Sequence, residues 1–286
     1  MPFYSPLRYP GGKRKLTNFV KLILRENGLM DCDYVEPYAG GSSVALSLLF
    51  DEYSRFIHIN DLDRSIYAFW YSVLNETNAF CRMIHDTPID MGTWNQQKKV
   101  LTDPNASLLQ IGFSTFFLNR TNRSGIITGG VIGGKTQSGP WKLDMRFNKI
   151  ELIHRVEKIA RYKNRIRLYN SDASEFLTEI INTLPNTSFV YLDPPYYIKG
   201  SQLLYANFYE PDDHKAVAQL VTGLNNNWMI SYDNVPEIKK LYSGFRCIDY
   251  DLNYSAQDKY RGEEVLFFSN SLRIPQISHP TRVNIR

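Results

Sequence analysis

Residues 189–196 read Phe-Val-Tyr-Leu-Asp-Pro-Pro-Tyr, and no other stretch of the chain restricts the fold as much. The short apolar run through Leu192 has the pattern of a buried strand. Pro194 and Pro195 cannot continue a ladder, because proline lacks an N–H and fixes φ. The strand must stop, which leaves Asp193, the Pro194 carbonyl and the Tyr196 ring at its carboxyl end. Ligands of open α/β sheets bind outside that end. A carboxylate and a carbonyl there can accept hydrogens from an amino group while a ring stacks on the group's aromatic carrier. Taken alone, the same residues also suit a plain turn with a solvated acid.

The chain before this stretch builds βα units. Leu7-Arg8-Tyr9-Pro10-Gly11-Gly12-Lys13 leads into a helix with Leu16, Phe19, Val20, Ile23 and Leu24 on one face and Gly28 as its stop. The paired glycines allow close backbone approach, and Lys13 beside them is either a solvated lysine or part of a nest for an anionic ligand. Asp33 to Ser43 then reads as strand, glycine turn and helix start, although the full Gly-x-Gly-x-x-Gly is missing. Further on, Phe56-Ile57-His58-Ile59-Asn60-Asp61 is a second strand ending in an acid, the position that binds ribose hydroxyls in such units. Asp61 could instead cap the helix that follows, but Asp63 suits that task equally. Together these features point to a cofactor containing adenosine.

Residues 76–164 break the βα rhythm. Helical patterns over 78–84, 94–101 and 107–119 precede a long loop, 120–148. The stretch 120–149 carries six bases against one acid, a net +5 where the whole chain has +4. A loop this long is functional or disordered. Asn119, Arg120, Asn122 and Arg123 have side chains of the kind that read base edges, with Gln137 and Thr121 beside them, and Lys135 and Lys142 suit phosphates. A solvated, flexible loop is the plainer alternative.

Beyond the helix at 149–163 the alternation resumes, with strands at 166–169, 188–192 and 228–232 and helices through 181 and over 212–224. Two closing strands, 245–252 and 264–269, have no helix-length segment between them and must be antiparallel. The expected fold is α/β: a mostly parallel sheet of seven strands with an antiparallel edge hairpin and an inserted, mainly helical region. The expected catalytic domain is discontinuous, 1–75 with 165–286, around a recognition domain at 76–164. No apolar run reaches the ~18 residues of a membrane helix. Cys32, Cys81 and Cys247 are isolated, which suggests reduced thiols, no structural zinc and a cytoplasmic protein.

Taken together, these motifs resemble the Dam-type family of S-adenosylmethionine-dependent DNA adenine methyltransferases. The resemblance rests on Arg8–Lys13, on Glu36-Pro37-Tyr38-Ala39-Gly40-Gly41-Ser42, on Asn60-Asp61 and on Phe117 to Gly125. It continues through Asp193-Pro194-Pro195-Tyr196, Ser231-Tyr232-Asp233-Asn234 and Glu264 to Asn270, in the family's order and over nearly the whole chain. It implies cofactor contacts from Tyr9, Lys13, Asp61 and Asp193, with Glu36, Gly40 and Asp172 as further members. It implies catalysis by Asp193, Pro194 and Tyr196 without a metal, and double-stranded DNA with a short specific site, read by the middle region, as the partner. No obligate protein partner is implied. Two positions depart from the pattern: Tyr9 stands where tryptophan is frequent, and Ser42 where a third glycine is common. Cytosine C5 chemistry is disfavoured, since its Pro-Cys nucleophile is missing. Cytosine N4 and protein-glutamine enzymes usually carry Ser or Asn where Asp193 stands. An RNA adenine methyltransferase and a silent DNA-binding relative remain as rivals.

Overall fold

The computed structural model describes residues 3–8, 13–197, 209–254 and 260–285. In chain order the elements are α1 (Thr17–Glu26), β1 (Cys32–Glu36), α2 (Ser43–Phe50), β2 (Ser54–Asn60), α3 (Arg64–Asn75), α4 (Thr77–Asp86), α5 (Met91–Leu101), α6 (Leu108–Thr121) and α7 (Lys149–Arg161). Then follow β3 (Ile166–Tyr169), α8 (Ala173–Glu179), β4 (Phe189–Leu192), α9 (Pro211–Thr222), β5 (Asn227–Asp233), α10 (Pro236–Leu241), β6 (Arg246–Tyr254) and β7 (Tyr260–Phe268). Among the described residues the strands form one seven-stranded sheet in the order β3-β2-β1-β4-β5-β7-β6. β1, β2, β4 and β5 pair in parallel, whereas β7 runs antiparallel to both β5 and β6. The expected sheet and hairpin are therefore present, and the hairpin's second strand is the one that joins β5. The short helix α10 was not anticipated; Pro236 at its first turn starts it, and six residues are too few for a clear period.

By packing, the chain divides into two compact units, 13–62 with 169–286 and 1–12 with 63–168. In the first, the central strands are apolar on both faces, as a sheet covered on both sides requires. Val35, Val190, Leu192 and Ile230 share one core cluster with Phe176 and Leu177 of α8 and Val217 and Val221 of α9. The buried face of α1 includes Phe19, whose ring meets Phe268 edge-on at 6.1 Å.

The second unit is helical, and its core is aromatic. Phe69 of α3, Phe80 of α4 and Phe113 and Phe116 of α6 are fully buried, with Phe80 and Phe116 centroids 5.4 Å apart. A Cβ at Gly112 would stand 2.4 Å from the Ala68 carbonyl, so only glycine lets α6 lie this close to α3. Helix α3, expected with the catalytic part, thus packs in the helical unit.

The expected long loop is shorter and more ordered than its composition suggests. Helix α6 runs on to Thr121, and Asn122 forms an antiparallel bridge with Val131. The Arg123 amide donates to the Gly130 carbonyl and the Ile132 amide to the Thr121 carbonyl, both at 2.9 Å. Gln137 Nε2 donates to the carbonyls of Ile132 and Gly134, and its Oε1 accepts from the Leu143 amide. Gln137 is thus a brace of the loop.

Gly125 turns the chain after α6 with φ +79°, and a Cβ there would meet the Arg8 carbonyl at 2.2 Å. Gly125→Ala should therefore destabilise the protein by at least about 2 kcal/mol, from the left-handed conformation plus the clash. Gly130→Ala, with nothing within 4 Å of its Cβ, serves as the control. Urea unfolding compares the two, and equal midpoints would contradict the assigned backbone.

Candidate active site

Strand β4 delivers Asp193 where the ladder ends. The Asp193 side chain is 27% accessible, and its Oδ1 lies 3.1 Å from Lys13 Nζ. Ser231 Oγ on the neighbouring β5 donates to the same oxygen at 2.7 Å. Burial raises the pKa of this carboxyl, while Lys13 and the Ser231 hydrogen bond pull it back toward the charged form. Pro194 follows, buried and without an N–H.

Behind Asp193 lies a buried polar cluster that residue types alone did not point to. Glu264 on β7 is 0% exposed. Its Oε1 accepts from the Tyr196 hydroxyl and its Oε2 from the Tyr250 hydroxyl. Lys13 Nζ donates to the Tyr196 hydroxyl and stands 3.6 Å from Glu264 Oε1. Burial first, and then the Glu264 charge, keeps the Tyr196 phenol well above its ordinary pKa, so the hydroxyl stays a donor. The Tyr196 ring is only 8% exposed; its chief attachment here is this buried hydroxyl network, where the sequence suggested an open stacking surface. The Tyr197 amide donates to Asp233 Oδ1 at 2.9 Å and pins the end of the segment.

The second part of the site is the glycine turn between β1 and α2. Gly40 and Ser42 both have φ +44°. Ser42, standing where the family often has glycine, takes the left-handed conformation without a side-chain capping bond. The Gly40 amide donates to Asp61 Oδ2 at 2.8 Å, which brings two of the expected cofactor residues together. Leu62, directly after Asp61, is an exposed apolar side chain. Asp63 caps α3, and Asp172 caps α8 by accepting from the Ser174 amide. Glu36 closes β1 in full burial. Its Oε1 accepts from the Tyr34 hydroxyl at 3.0 Å and the Ala45 amide at 3.1 Å, which ties the strand end to the first turn of α2. Desolvation pushes its pKa up to about 8. Lys13, expected as a cofactor contact, reaches Asp193 and Glu264. Tyr9 lies outside the described residues.

Three of the expected base readers are placed differently in the helical unit. Asn119 is 1% exposed: its Oδ1 accepts from the Arg8 amide, and its Nδ2 donates to the carbonyls of Arg8 and Gly125. Asn122 is 0% exposed: its Oδ1 accepts from Trp94 Nε1, and its Nδ2 donates to the carbonyls of Ile126 and Ile127. Arg120, 9% exposed, donates to the carbonyls of Arg146 and Pro6. Burial, with the nearby charges of Arg8 and Arg155, lowers its pKa to about 9. All three are internal braces. Their amides and guanidinium fit backbone partners as well as base edges, which is why residue type misled. Arg123, Lys135, Lys142 and Arg146 are exposed, as is Trp141 at 61%.

A sheet of this order, with an antiparallel strand inserted beside β5 and strand-end acids over a glycine turn, defines a Rossmann-like methyltransferase. The D12 class N6 adenine-specific DNA methyltransferase family matches residues 9–256. The chain belongs to that family, and its methyl donor is S-adenosylmethionine. Among curated proteins compared by sequence, none matches. Among solved structures, a proposed RNA methyltransferase from Pyrococcus horikoshii has 11% identity and TM-score 0.44, over 92% of this chain and 85% of that one. The rRNA methyltransferase AviRa from Streptomyces viridochromogenes has 10% identity and TM-score 0.36, over 88% and 84%. TrmK of M. capricolum, solved with S-adenosylhomocysteine, has 7% identity and TM-score 0.36, over 87% and 68%. Likenesses at this level carry no weight for function. No helix among the described residues is long and apolar enough to cross a membrane.

The Glu36 carboxyl has a consequence for stability. Between about 4.5 and about 8 the folded chain keeps a proton there that the unfolded chain has lost, so this group lowers stability as pH rises through that window. Above about 8 its effect is constant. Glu36→Gln keeps an acceptor for Tyr34 and Ala45 without the titration. Across that window the variant should gain on wild type by on the order of a few kcal/mol. Unfolding free energies at several pH values read this directly, and parallel curves would be the contrary result.

Proposed function

We propose that the protein is a site-specific DNA methyltransferase that transfers a methyl group to the N6 amine of adenine. The observation that carries this reading is the Asp193 carboxylate, set at the end of β4 by Ser231 and Lys13 and left partly accessible. Adenine's amine is a weak nucleophile, because its lone pair is delocalised into the ring. Asp193 and the Pro194 carbonyl accept its two hydrogens, which localises the pair on nitrogen. Preorganised acceptors of this kind are worth roughly 10²–10³ each in rate, by analogy with oxyanion-hole donors. When bound, S-adenosylmethionine would supply an electrophilic methyl on sulfur, the N–C bond replacing the C–S bond while the electron pair returns to sulfur and the released amine proton passes to solvent. Asp61 and Gly40 would hold its ribose, since a carboxylate suits a diol, and Leu62 offers an apolar contact for its adenine. Within a duplex the target base must first leave the stack, at a cost of about a few kcal/mol.

The exposed bases Arg123, Lys135, Lys142 and Arg146 support double-stranded DNA as the partner. The proposed setting is restriction–modification or the marking of phage or host DNA. Methylation of matched duplex DNA and RNA pools separates DNA from RNA as substrate.

Asp193→Ala should abolish methyl transfer while leaving the fold and cofactor binding in place, as read by circular dichroism and calorimetry. Near wild-type turnover would rule out the mechanism.

Arg123→Ala should relax preference at one base pair by about 1–3 kcal/mol, as expected for a side chain that pairs bidentately with guanine. Lys142→Ala should lower affinity uniformly and flatten the salt slope by about one unit. A randomised oligonucleotide pool, sequenced after methylation, checks the first; binding at several salt concentrations checks the second. An unchanged site profile and salt slope in both variants would move the reading surface elsewhere.

A further inference from the structure

Among the described residues, the partners of the Asp193 carboxylate approach it from one side. Ser231 Oγ at 2.7 Å and Lys13 Nζ at 3.1 Å both approach Oδ1. Ser231 sits in the middle of β5, one residue beyond the Leu192–Ile230 pair, so the parallel register itself brings it level with Asp193. It is fully buried, and its hydroxyl also pairs with the Tyr191 hydroxyl at 3.1 Å. A hydroxyl has one hydrogen and two acceptor pairs. If Tyr191 donates to Ser231, the Ser231 hydrogen has two acceptors, Asp193 Oδ1 at 2.7 Å and the Leu192 carbonyl at 3.4 Å, and the shorter contact takes it. Lys13 is fixed in turn by Glu264 and the Tyr196 hydroxyl.

We propose that Ser231 and Lys13 are positioning residues that occupy Asp193 Oδ1, with Glu264 holding Lys13, so that Oδ2 is the carboxylate oxygen presented to the substrate amine. This rests on the reading above, in which Asp193 accepts a hydrogen from that amine. The torsion of an aspartate carboxylate is broad and nearly two-fold, so by itself it offers either oxygen over a range of angles. Two donors on one oxygen remove that freedom, and a near-attack geometry is sensitive to displacements of about 1 Å. Ser231 rises from β5, and Lys13 from the 3₁₀ turn Lys13–Leu16 that leads into α1. The same two donors favour the charged form of Asp193 against its burial.

The test uses the full chain, with S-adenosylmethionine and a duplex oligonucleotide carrying the unmethylated target adenine, and measures single-turnover rate against pH for Ser231→Ala. The saturated rate should fall about 10- to 100-fold, by analogy with the loss of a hydrogen-bond partner that orients a metal ligand. KM for DNA and for cofactor should stay within about twofold, because neither is contacted. The acid limb of the rate profile should move to higher pH, since the lost hydrogen bond favoured the carboxylate. Ser231→Cys, near in size but a weak donor, should behave like the alanine variant and stands in for it if that variant does not fold. A lower rate with an unmoved acid limb would assign Ser231 a purely structural role and overturn the proposal. So would an unchanged rate in both variants while Asp193→Ala is inactive. An active Asp193→Ala would instead remove the underlying reading.

Discussion

One ammonium group, Lys13, stands between two carboxylates inside the sheet unit. Its side chain is 5% exposed, Glu264 is 0% and Asp193 is 27%. Buried ion pairs are seldom a net source of stability, because desolvation offsets their attraction unless the remaining lone pairs are satisfied. For Glu264 they are, since Tyr196 and Tyr250 each donate to one of its oxygens; on Asp193 the Ser231 hydroxyl donates to Oδ1 alone. Removing Lys13 would take away the cation the two carboxylates share, whereas removing either carboxylate leaves Lys13 paired with the other. The arrangement is therefore better understood as a means of fixing geometry than as a source of folding energy.

The topology makes that cluster possible. β7 enters the sheet antiparallel between β5 and β6, and the register places Glu264 opposite Asp233 on one side and Tyr250 on the other. A parallel strand at this place would arrive from the other end of the sheet, and its residues would meet β5 in reversed order. The hairpin that the sequence suggested as an edge feature thus supplies the acid behind the carboxyl end of β4.

Much of this was legible in the sequence because the signals are local. Apolar runs closed by Asp-Pro-Pro or by an acid mark the central strands, and Gly40 with Asp61 lies at the spacing of a nucleotide-binding unit. Glu264 was not legible as a functional group: an acid heading the apolar run of β7 looks like a solvated strand end, and only pairing shows it buried. The same limit governs Asn119, Asn122 and Arg120. Their position in a glycine-rich, basic stretch implied exposure, yet that glycine-rich backbone leaves carbonyls that need donors, and these side chains provide them. Charge counting found the basic surface but not which of its members face inward.

Four neighbouring strands carry an acid at their carboxyl ends: β1 and β5 finish on Glu36 and Asp233, and Asp61 and Asp193 directly follow β2 and β4. Four like charges along one edge would repel one another, so each environment must resolve them differently. Glu36, fully buried and with its pKa near 8, holds its proton at neutral pH and acts as a strut to α2. Asp233 accepts the Tyr197 amide and fixes the chain after the two prolines. Asp61 accepts the Gly40 amide and shapes the glycine turn. Asp193 has a cation and a hydroxyl on one oxygen and remains partly accessible. Carboxyls of nearly identical chemistry thus take distinct tasks from their surroundings, as acid pairs do in many active sites. Among the four, Asp193 combines partial accessibility with a positive partner. Lys13 offsets part of the burial that raises the pKa of this carboxyl, and the accessibility leaves it open to a ligand.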